Sequence, residues 1–164
     1  MAENKKTNKK KKMAIAVLSG DLDKLFGAFI IATSAAASNM DVTMFFTFWG
    51  FRAIKKRTRT GKSFMGKMMG IMEGGDISKA NPSKYHMGGL GRWMFKKMMK
   101  AKRVASLPEL RQMALDMGVK LYGCQMTMDV MDIAREDLID EVEDCVGGGF
   151  FVEKALEADV QFFI

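Results

Sequence analysis

The chain has 164 residues, of which 48% are hydrophobic and 27% are charged, and its formal net charge is +7. This balance excludes a disordered chain and suits a single globular domain. Two cysteines and one histidine exclude a disulfide scaffold and an obvious zinc site. The apolar runs are too short for a signal peptide or a membrane span. We therefore expect a soluble, cytoplasmic protein with reduced thiols, no metal and no cofactor.

The positive charge is concentrated in a tail and a middle segment. Residues 1–12 contain six lysines and one glutamate, and residues 52–103 carry a net charge of +13, whereas residues 104–164 carry −9. We expect the tail to be a disordered, solvated terminus. A basic segment of this size is also typical of proteins that bind nucleic acid, an anionic substrate or another copy of the same chain.

The N-terminal third predicts a strand–helix–strand unit. Residues 13–18 (MAIAVL) form a continuous apolar run typical of a buried parallel strand. The turn Ser19-Gly20-Asp21 follows, with Asp21 placed as a helix N-cap, and residues 22–38 are typical of an apolar, alanine-rich helix. Residues 41–49 form a second apolar run. This order implies two parallel strands joined by a crossover helix.

The C-terminal part repeats this alternation. Ser106 and Glu109 form a predicted capping box, and the helix that they start stops at Gly118. The remaining strands and helices are predicted in the order strand 119–123, helix 127–135, strand 142–146, helix 150–158 and strand 160–164. The predicted fold is one three-layer α/β/α domain, residues 13–164, with a five-stranded parallel sheet.

Residues 52–103 interrupt the alternation as a long insertion rich in lysine, glycine and methionine. Two short helices are predicted inside it, over residues 64–72 and 90–102. Long connections of this kind are either functional or disordered. We expect a cover near the carboxyl edge of the sheet, less ordered than the sheet itself or ordered by neighbouring subunits. Its methionines suit an adaptable surface.

Three motifs have weak functional readings. Thr60-Gly61-Lys62-Ser63 lacks the second glycine and the preceding strand of a phosphate-binding loop. The turn Ser19-Gly20-Asp21 lies where such folds bind phosphates, but it has one glycine only. His86 is the single histidine, and we expect it to be a loop residue or at most a substrate contact.

The two cysteines are the strongest candidates for chemistry. Cys124 follows a predicted strand and precedes a helix, at the edge where open α/β folds place their active groups. Helix amides would favour its thiolate, and Gly123 is expected to keep the thiol accessible. Cys145 lies near the end of the next strand, and both thiols are expected to point toward one edge of the sheet. The alternative is that both are small buried hydrophobic residues, more so for Cys145.

Several segments together resemble the DsrE/DsrF-like sulfurtransferase family. The segments are AIAVLSGDLDKL, DVTMFFTFWG, GVKLYGCQMTMDVMDI and VGGGFFVEKALEADVQFFI. The insertion with Lys96-Lys97-Met98-Met99 resembles a larger subgroup labelled peroxiredoxin-like, although no Pro-x-x-x-Thr-x-x-Cys motif is present.

The resemblance implies a cytoplasmic carrier that holds sulfane sulfur as a cysteine persulfide or thiosulfonate and exchanges it with TusA-like or rhodanese-like proteins. It implies that Cys124 carries the sulfur and that the protein is a homo-oligomer, a trimer or higher. Cys145 is expected to assist, as a resolving thiol or a second acceptor. Supporting roles are expected for Gly123, Gln125, Ser19, Gly20 and His86. The alternative is a non-enzymatic α/β module whose tail and insertion bind an anionic partner, nucleic acid or lipid headgroups.

Overall fold

One sheet of five parallel strands organises the chain. The computed structural model describes residues 10–56, 60–61, 63–72, 75–84 and 87–164. The strands are β1 (Lys12–Val17), β2 (Asp41–Phe46), β3 (Lys120–Cys124), β4 (Val142–Val146) and β5 (Val160–Phe163). They lie in the order β4-β3-β2-β1-β5, and every neighbouring pair is parallel. The predicted five-stranded parallel sheet is confirmed.

Helices cover both faces of the sheet. The α-helices are α1 (Leu22–Ala37), α2 (Phe64–Met72), α3 (Leu90–Ala101), α4 (Leu107–Asp116), α5 (Gln125–Met131) and α6 (Gly148–Glu157). Helix α1 packs against α4, and its Phe29 ring lies 6.2 Å from Phe46 of β2. On the opposite face, Phe151 of α6 stacks on Phe45 at 5.4 Å. Because successive strand residues point to opposite faces, these two contacts define three layers.

The central strands are the most deeply buried elements. Residues 13–17 of β1 and residues 44–46 of β2 are all buried, whereas β5, at one edge of the sheet, is exposed along its length. Strands covered on both faces need apolar side chains at consecutive positions. This explains why residues 13–17 form an unbroken apolar run and why β2 ends in three consecutive apolar residues.

Several element boundaries differ from the sequence-based prediction, and two of them differ by three or more residues. Strand β2 ends at Phe46 because Phe48 has a φ of 45°, and a 3₁₀ helix then runs over Phe48–Ala53. Helix α5 begins directly at Gln125 and ends at Met131, where Asp132 takes a left-handed conformation with φ of 54°. The predicted boundaries 41–49 and 127–135 were therefore wrong.

The caps predicted for α4 are present, whereas the side-chain cap predicted for α1 is not. The Glu109 carboxylate accepts hydrogen bonds from the backbone N–H and the hydroxyl of Ser106, and Gly118 ends α4 with a φ of 80°. These bonds hold the pKa of Glu109 below its ordinary value. Asp21 stands at the N-cap of α1 but makes no side-chain capping bond; it accepts instead from the Ser19 hydroxyl.

The insertion lies along the carboxyl edge of the sheet. Helix α2 packs against α5, and the Ser63 N–H donates to Asp132 just beyond α5. Farther along, the Asn81 carbonyl accepts from the N–H of Leu22, the first residue of α1. The insertion thus contacts the end of α5 and the start of α1, and both helices border this edge. Within the described residues, no helix is long and apolar enough to cross a membrane.

Two glycines allow the turns at this edge to interlock. A β-carbon on Gly20 would collide with the carbonyl oxygen of Trp49, and one on Gly50 would collide with the carbonyl oxygen of Val17. The Gly50 N–H also donates to the Leu18 carbonyl at 3.1 Å. Backbone obstacles of this kind cannot rotate away as a side chain can. The turn after β1 and the turn after β2 therefore fit together only where side chains are absent.

We expect Gly20→Ala to lower the free energy of unfolding by about 1–3 kcal/mol, the usual effect of overpacking. The matched control is Gly27→Ala, because a β-carbon there meets no atom within 4 Å and the residue lies inside α1. The control should raise stability by about 1 kcal/mol through helix propensity. Urea denaturation measures both, and a Gly20→Ala variant as stable as the control would contradict the packing argument.

Candidate functional site

Cys124 lies at the carboxyl end of β3 and is the N-cap residue of α5. Its backbone is extended, with φ of −81° and ψ of 117°, and the helix begins at the next residue. The strand end before it pairs with β2 on one side and with β4 on the other. The cysteine is therefore held on a rigid element in the interior of the sheet, at the edge that the sequence predicts.

The Cys124 side chain is buried, with 4% of its surface exposed. The expectation that Gly123 keeps this thiol accessible was wrong. The apolar residues of α5 and the neighbouring strands belong to the same buried cluster as Cys124, so the strand end is enclosed by the core. A reagent in solution reaches the sulfur only if the residues covering it move.

Cys145 is the more exposed of the two cysteines, and both are free. It pairs with Gly123 across β3 and β4, while Cys124 pairs with Val146. Paired residues share a face and successive residues alternate, so the two thiols lie at the same edge but on opposite faces. The prediction of a common edge is confirmed, and the register adds that the sheet separates the thiols.

Gly123 makes room for the Cys145 sulfur. A β-carbon on Gly123 would lie 3.6 Å from that sulfur and 3.2 Å from the Phe51 ring. Burial raises the pKa of the Cys145 thiol above its ordinary value, an effect that nearby Arg135 partly opposes and Asp144 reinforces. Cys145 is thus mainly protonated at neutral pH and is a weaker nucleophile than an ordinary exposed cysteine.

Two threonines connect the end of β2 to the helix that follows Cys124. The hydroxyls of Thr47 and Thr127 are 3.0 Å apart, and the Phe48 N–H donates to the Thr127 hydroxyl at 3.0 Å. Thr127 is fully buried. Phe48 carries the positive φ, a conformation that costs energy for a residue other than glycine. The Thr127 hydroxyl therefore stabilises a strained turn beside the cysteine.

Sequence reasoning missed these threonines. The available signal was a polar, β-branched residue inside each of two apolar segments, Thr47 in FFTF and Thr127 in QMTM. A buried hydroxyl needs a hydrogen-bond partner. Neither segment alone indicates that the partner of each threonine is the other.

The predicted supporting residues lie in different places. Ser19 and Gly20 are at the end of β1, which β2 separates from β3, and Gly20 packs against the Trp49 backbone. The Gln125 amide donates to Asp129, one turn along α5, at 2.9 Å. Gly123 is the one that contacts a cysteine. His86 lies outside the described residues.

The acidic, cysteine and histidine side chains of the described residues form no group of three or more suited to a metal ion. The residues at the edge beside Cys124 are instead hydroxyl, thiol and apolar groups. This arrangement offers one buried nucleophile on a rigid strand, with a cationic insertion packed alongside. Chemically, it suits thiol exchange.

The sequence profile of the DsrE/DsrF/DrsH-like family matches residues 9–163. The chain belongs to this family. It is 40% identical to the uncharacterized protein YrkE of Bacillus subtilis strain 168 over 160 residues, covering 96% of this chain and 99% of YrkE. It is 38% identical over 160 residues to DsrE2 of Allochromatium vinosum, named a sulfur carrier protein, with 94% of this chain and 98% of DsrE2 covered.

Solved structures show the same fold at low identity. The crystal structure of YchN from Escherichia coli matches with a TM-score of 0.57 at 13% identity, covering 94% of this chain and 99% of YchN. MTH1491 from Methanobacterium thermoautotrophicum, a protein of unknown function, matches with a TM-score of 0.52 at 11% identity, covering 93% and 98%. At these identities the likeness concerns the fold alone.

We expect Thr127→Val to lower the free energy of unfolding by about 1–3 kcal/mol, because the Phe48 N–H loses its hydrogen-bond acceptor. Thr127→Ser keeps the hydroxyl and should retain most of the stability. Urea denaturation compares the two variants. A thiol reagent added to a Cys145→Ser background should also modify Cys124 faster in the valine variant than in the serine variant. Equal stability of valine and serine variants would show that the hydroxyl bond contributes nothing.

Proposed function

We propose that this protein is a sulfur carrier that holds sulfane sulfur on Cys124 and passes it to a partner thiol. Membership of the DsrE/DsrF/DrsH-like family, with a cysteine at the carboxyl end of a central strand, is the observation that carries the proposal. The name of the related DsrE2 of Allochromatium vinosum supports it. The proposed setting is the cytoplasm, where thiols stay reduced.

The proposed chemistry is two thiol exchanges without net oxidation. The Cys124 thiolate attacks the outer sulfur of a donor persulfide; a new sulfur–sulfur bond forms to Cys124, and the donor leaves as its thiolate. An acceptor thiolate then attacks the outer sulfur of the Cys124 persulfide, and Cys124 leaves as a thiolate. With a thiosulfate-type donor the leaving group is sulfite. TusA-like or rhodanese-like carriers are the proposed partners.

The burial of Cys124 requires that the site opens during transfer. We propose that the insertion acts as the cover. Helix α2 packs on α5, the helix that starts at Cys124, so a shift of α2 would loosen that helix. The insertion's net charge of +13 would attract anionic sulfur compounds and favour a thiolate.

Cys145 is proposed to assist as a second sulfur acceptor. Because the two cysteines occupy opposite faces of the sheet, a disulfide between them would require backbone movement. The same barrier applies to direct sulfur transfer between the two thiols, so Cys145 is proposed to accept sulfur from a partner rather than directly from Cys124. The raised pKa lowers the thiolate fraction of Cys145, so Cys124 is the proposed first acceptor of sulfur.

The decisive measurement is mass spectrometry after incubation with polysulfide. We expect the native chain to gain the mass of one or more sulfur atoms, Cys124→Ser to lose the main adduct, and Cys145→Ser to keep it. Cys145→Ser is the matched control because it removes a thiol from the same edge. Full loading and transfer by Cys124→Ser would overturn the assignment. If neither substitution changed loading or transfer, a non-enzymatic binding module would be favoured.

We also propose that the protein is a homo-oligomer, a trimer or higher, since apolar side chains remain uncovered on α6 and the edge strand β5. Val152, Leu156 and Phe163 are each more than half exposed. Light scattering at micromolar concentration should give a mass of three or more chains. Leu156→Asp should lower that mass, whereas Met117→Asp, at the end of α4, should not. A native monomer would refute the proposal.

A further inference from the structure

Helix α3 presents its apolar side to solvent. Leu90, Trp93, Met94 and Met98 recur at helical spacing, and each is more than half exposed. A surface helix of a monomeric domain normally buries such a stripe against the core. Among the described residues, none covers this stripe.

Two cationic side chains on another side of α3 donate hydrogen bonds to backbone carbonyl groups. The Arg92 guanidinium donates to the Lys79 carbonyl at 2.8 Å, and the Lys96 ammonium donates to the Ser78 carbonyl. A groove of about 1010 Å³ separates the C-terminal half of α3 from α1 and α4. The helix is thus attached through polar contacts and stands away from the core, with its apolar stripe outward.

The charged side chains of α3 are all cations, whereas Glu109 and Asp116 line the far side of the groove behind it. Residues 77–108 contain eight Lys and Arg and no Asp or Glu. Lys97 lies within the stripe, with its ammonium 5.1 Å from the centre of the Trp93 ring. A long lysine stem of this kind can lie along apolar surface while its charge reaches a polar boundary. Apolar and aromatic residues flanked by lysines and free of acids are typical of helices that lie in a membrane interface.

We propose that α3 docks the protein onto the surface of a bilayer that contains anionic lipids. Leu90, Trp93, Met94 and Met98 enter the boundary between headgroups and acyl chains, and Lys97 and Lys100 contact lipid phosphates. This face of α3 has apolar and cationic side chains. An anionic bilayer offers an apolar layer for the first and a dense negative charge for the second. The equivalent basic face of a second copy offers only the apolar layer, because like charges would oppose each other.

The two tryptophans provide a test with an internal control. Trp49 lies at the carboxyl edge of the sheet and Trp93 on α3, and both are half exposed or more. In the full chain carrying Trp49→Phe, we expect Trp93 fluorescence to shift to the blue on addition of phosphatidylglycerol-containing vesicles. In the Trp93→Phe chain, the fluorescence of Trp49 should not shift. Pure phosphatidylcholine vesicles should give a much smaller shift in either case.

Charge variants test the lipid contacts. Lys97→Gln and Lys100→Gln should each lower binding to the anionic vesicles about fivefold in a sedimentation assay, the factor that corresponds to about 1 kcal/mol per cation. Lys120→Gln is the matched control, because Lys120 is exposed at the opposite, amino-terminal end of β3. Raising the salt concentration should weaken binding of the native chain.

Three results would overturn the proposal: no cosedimentation with anionic vesicles at low salt, equal losses in the Lys97, Lys100 and Lys120 variants, or a blue-shifted Trp93 in the absence of vesicles. The last would mean that another copy of the chain already covers the stripe. The outcome is independent of sulfur transfer, since none of these variants changes a cysteine.

Discussion

The interlock of two turns at the carboxyl edge of the sheet is the contact on which the rest of the structure depends. The Trp49 backbone packs against Gly20, which follows β1, and the Val17 backbone packs against Gly50, which follows β2. This contact brings the 3₁₀ helix Phe48–Ala53 over the end of the sheet. The Phe51 ring then covers the face on which Gly123 and Cys145 lie. A side chain at either turn would displace the wall of the candidate site.

The strained turn at Phe48 connects the interlocked turns to the helix that starts after Cys124. The buried Thr127 hydroxyl accepts from the Phe48 N–H and contacts the Thr47 hydroxyl, so hydrogen bonds join the end of β2 to the first turn of α5. The cysteine lies directly before α5 and is enclosed by apolar neighbours. Under the proposed function, this enclosure would protect a sulfur species on Cys124, and it makes opening a required step of any transfer to a partner.

Positive charge and exposed apolar side chains are combined in the insertion, which carries a net charge of +13. The insertion contacts the rest of the domain through α2 on α5, through the 3₁₀ turn Ile77–Lys79 on α4, and through the Asn81 carbonyl, which accepts from Leu22. Few of its apolar side chains are needed for the core. They are therefore available for surfaces outside the domain, whether a lipid interface at α3 or a second copy elsewhere.

The sequence by itself determined the layer architecture, because unbroken apolar runs such as residues 13–18 are stable only between two covering layers. It also placed Cys124 at a strand end, since a glycine and a helix start bracket it. Burial of that thiol, the opposite faces of Cys124 and Cys145, and the pairing of Thr47 with Thr127 were decided by the tertiary structure. Each depends on strand register or on contacts between residues distant in the chain, and local sequence patterns contain no information about which distant residue fills a given space.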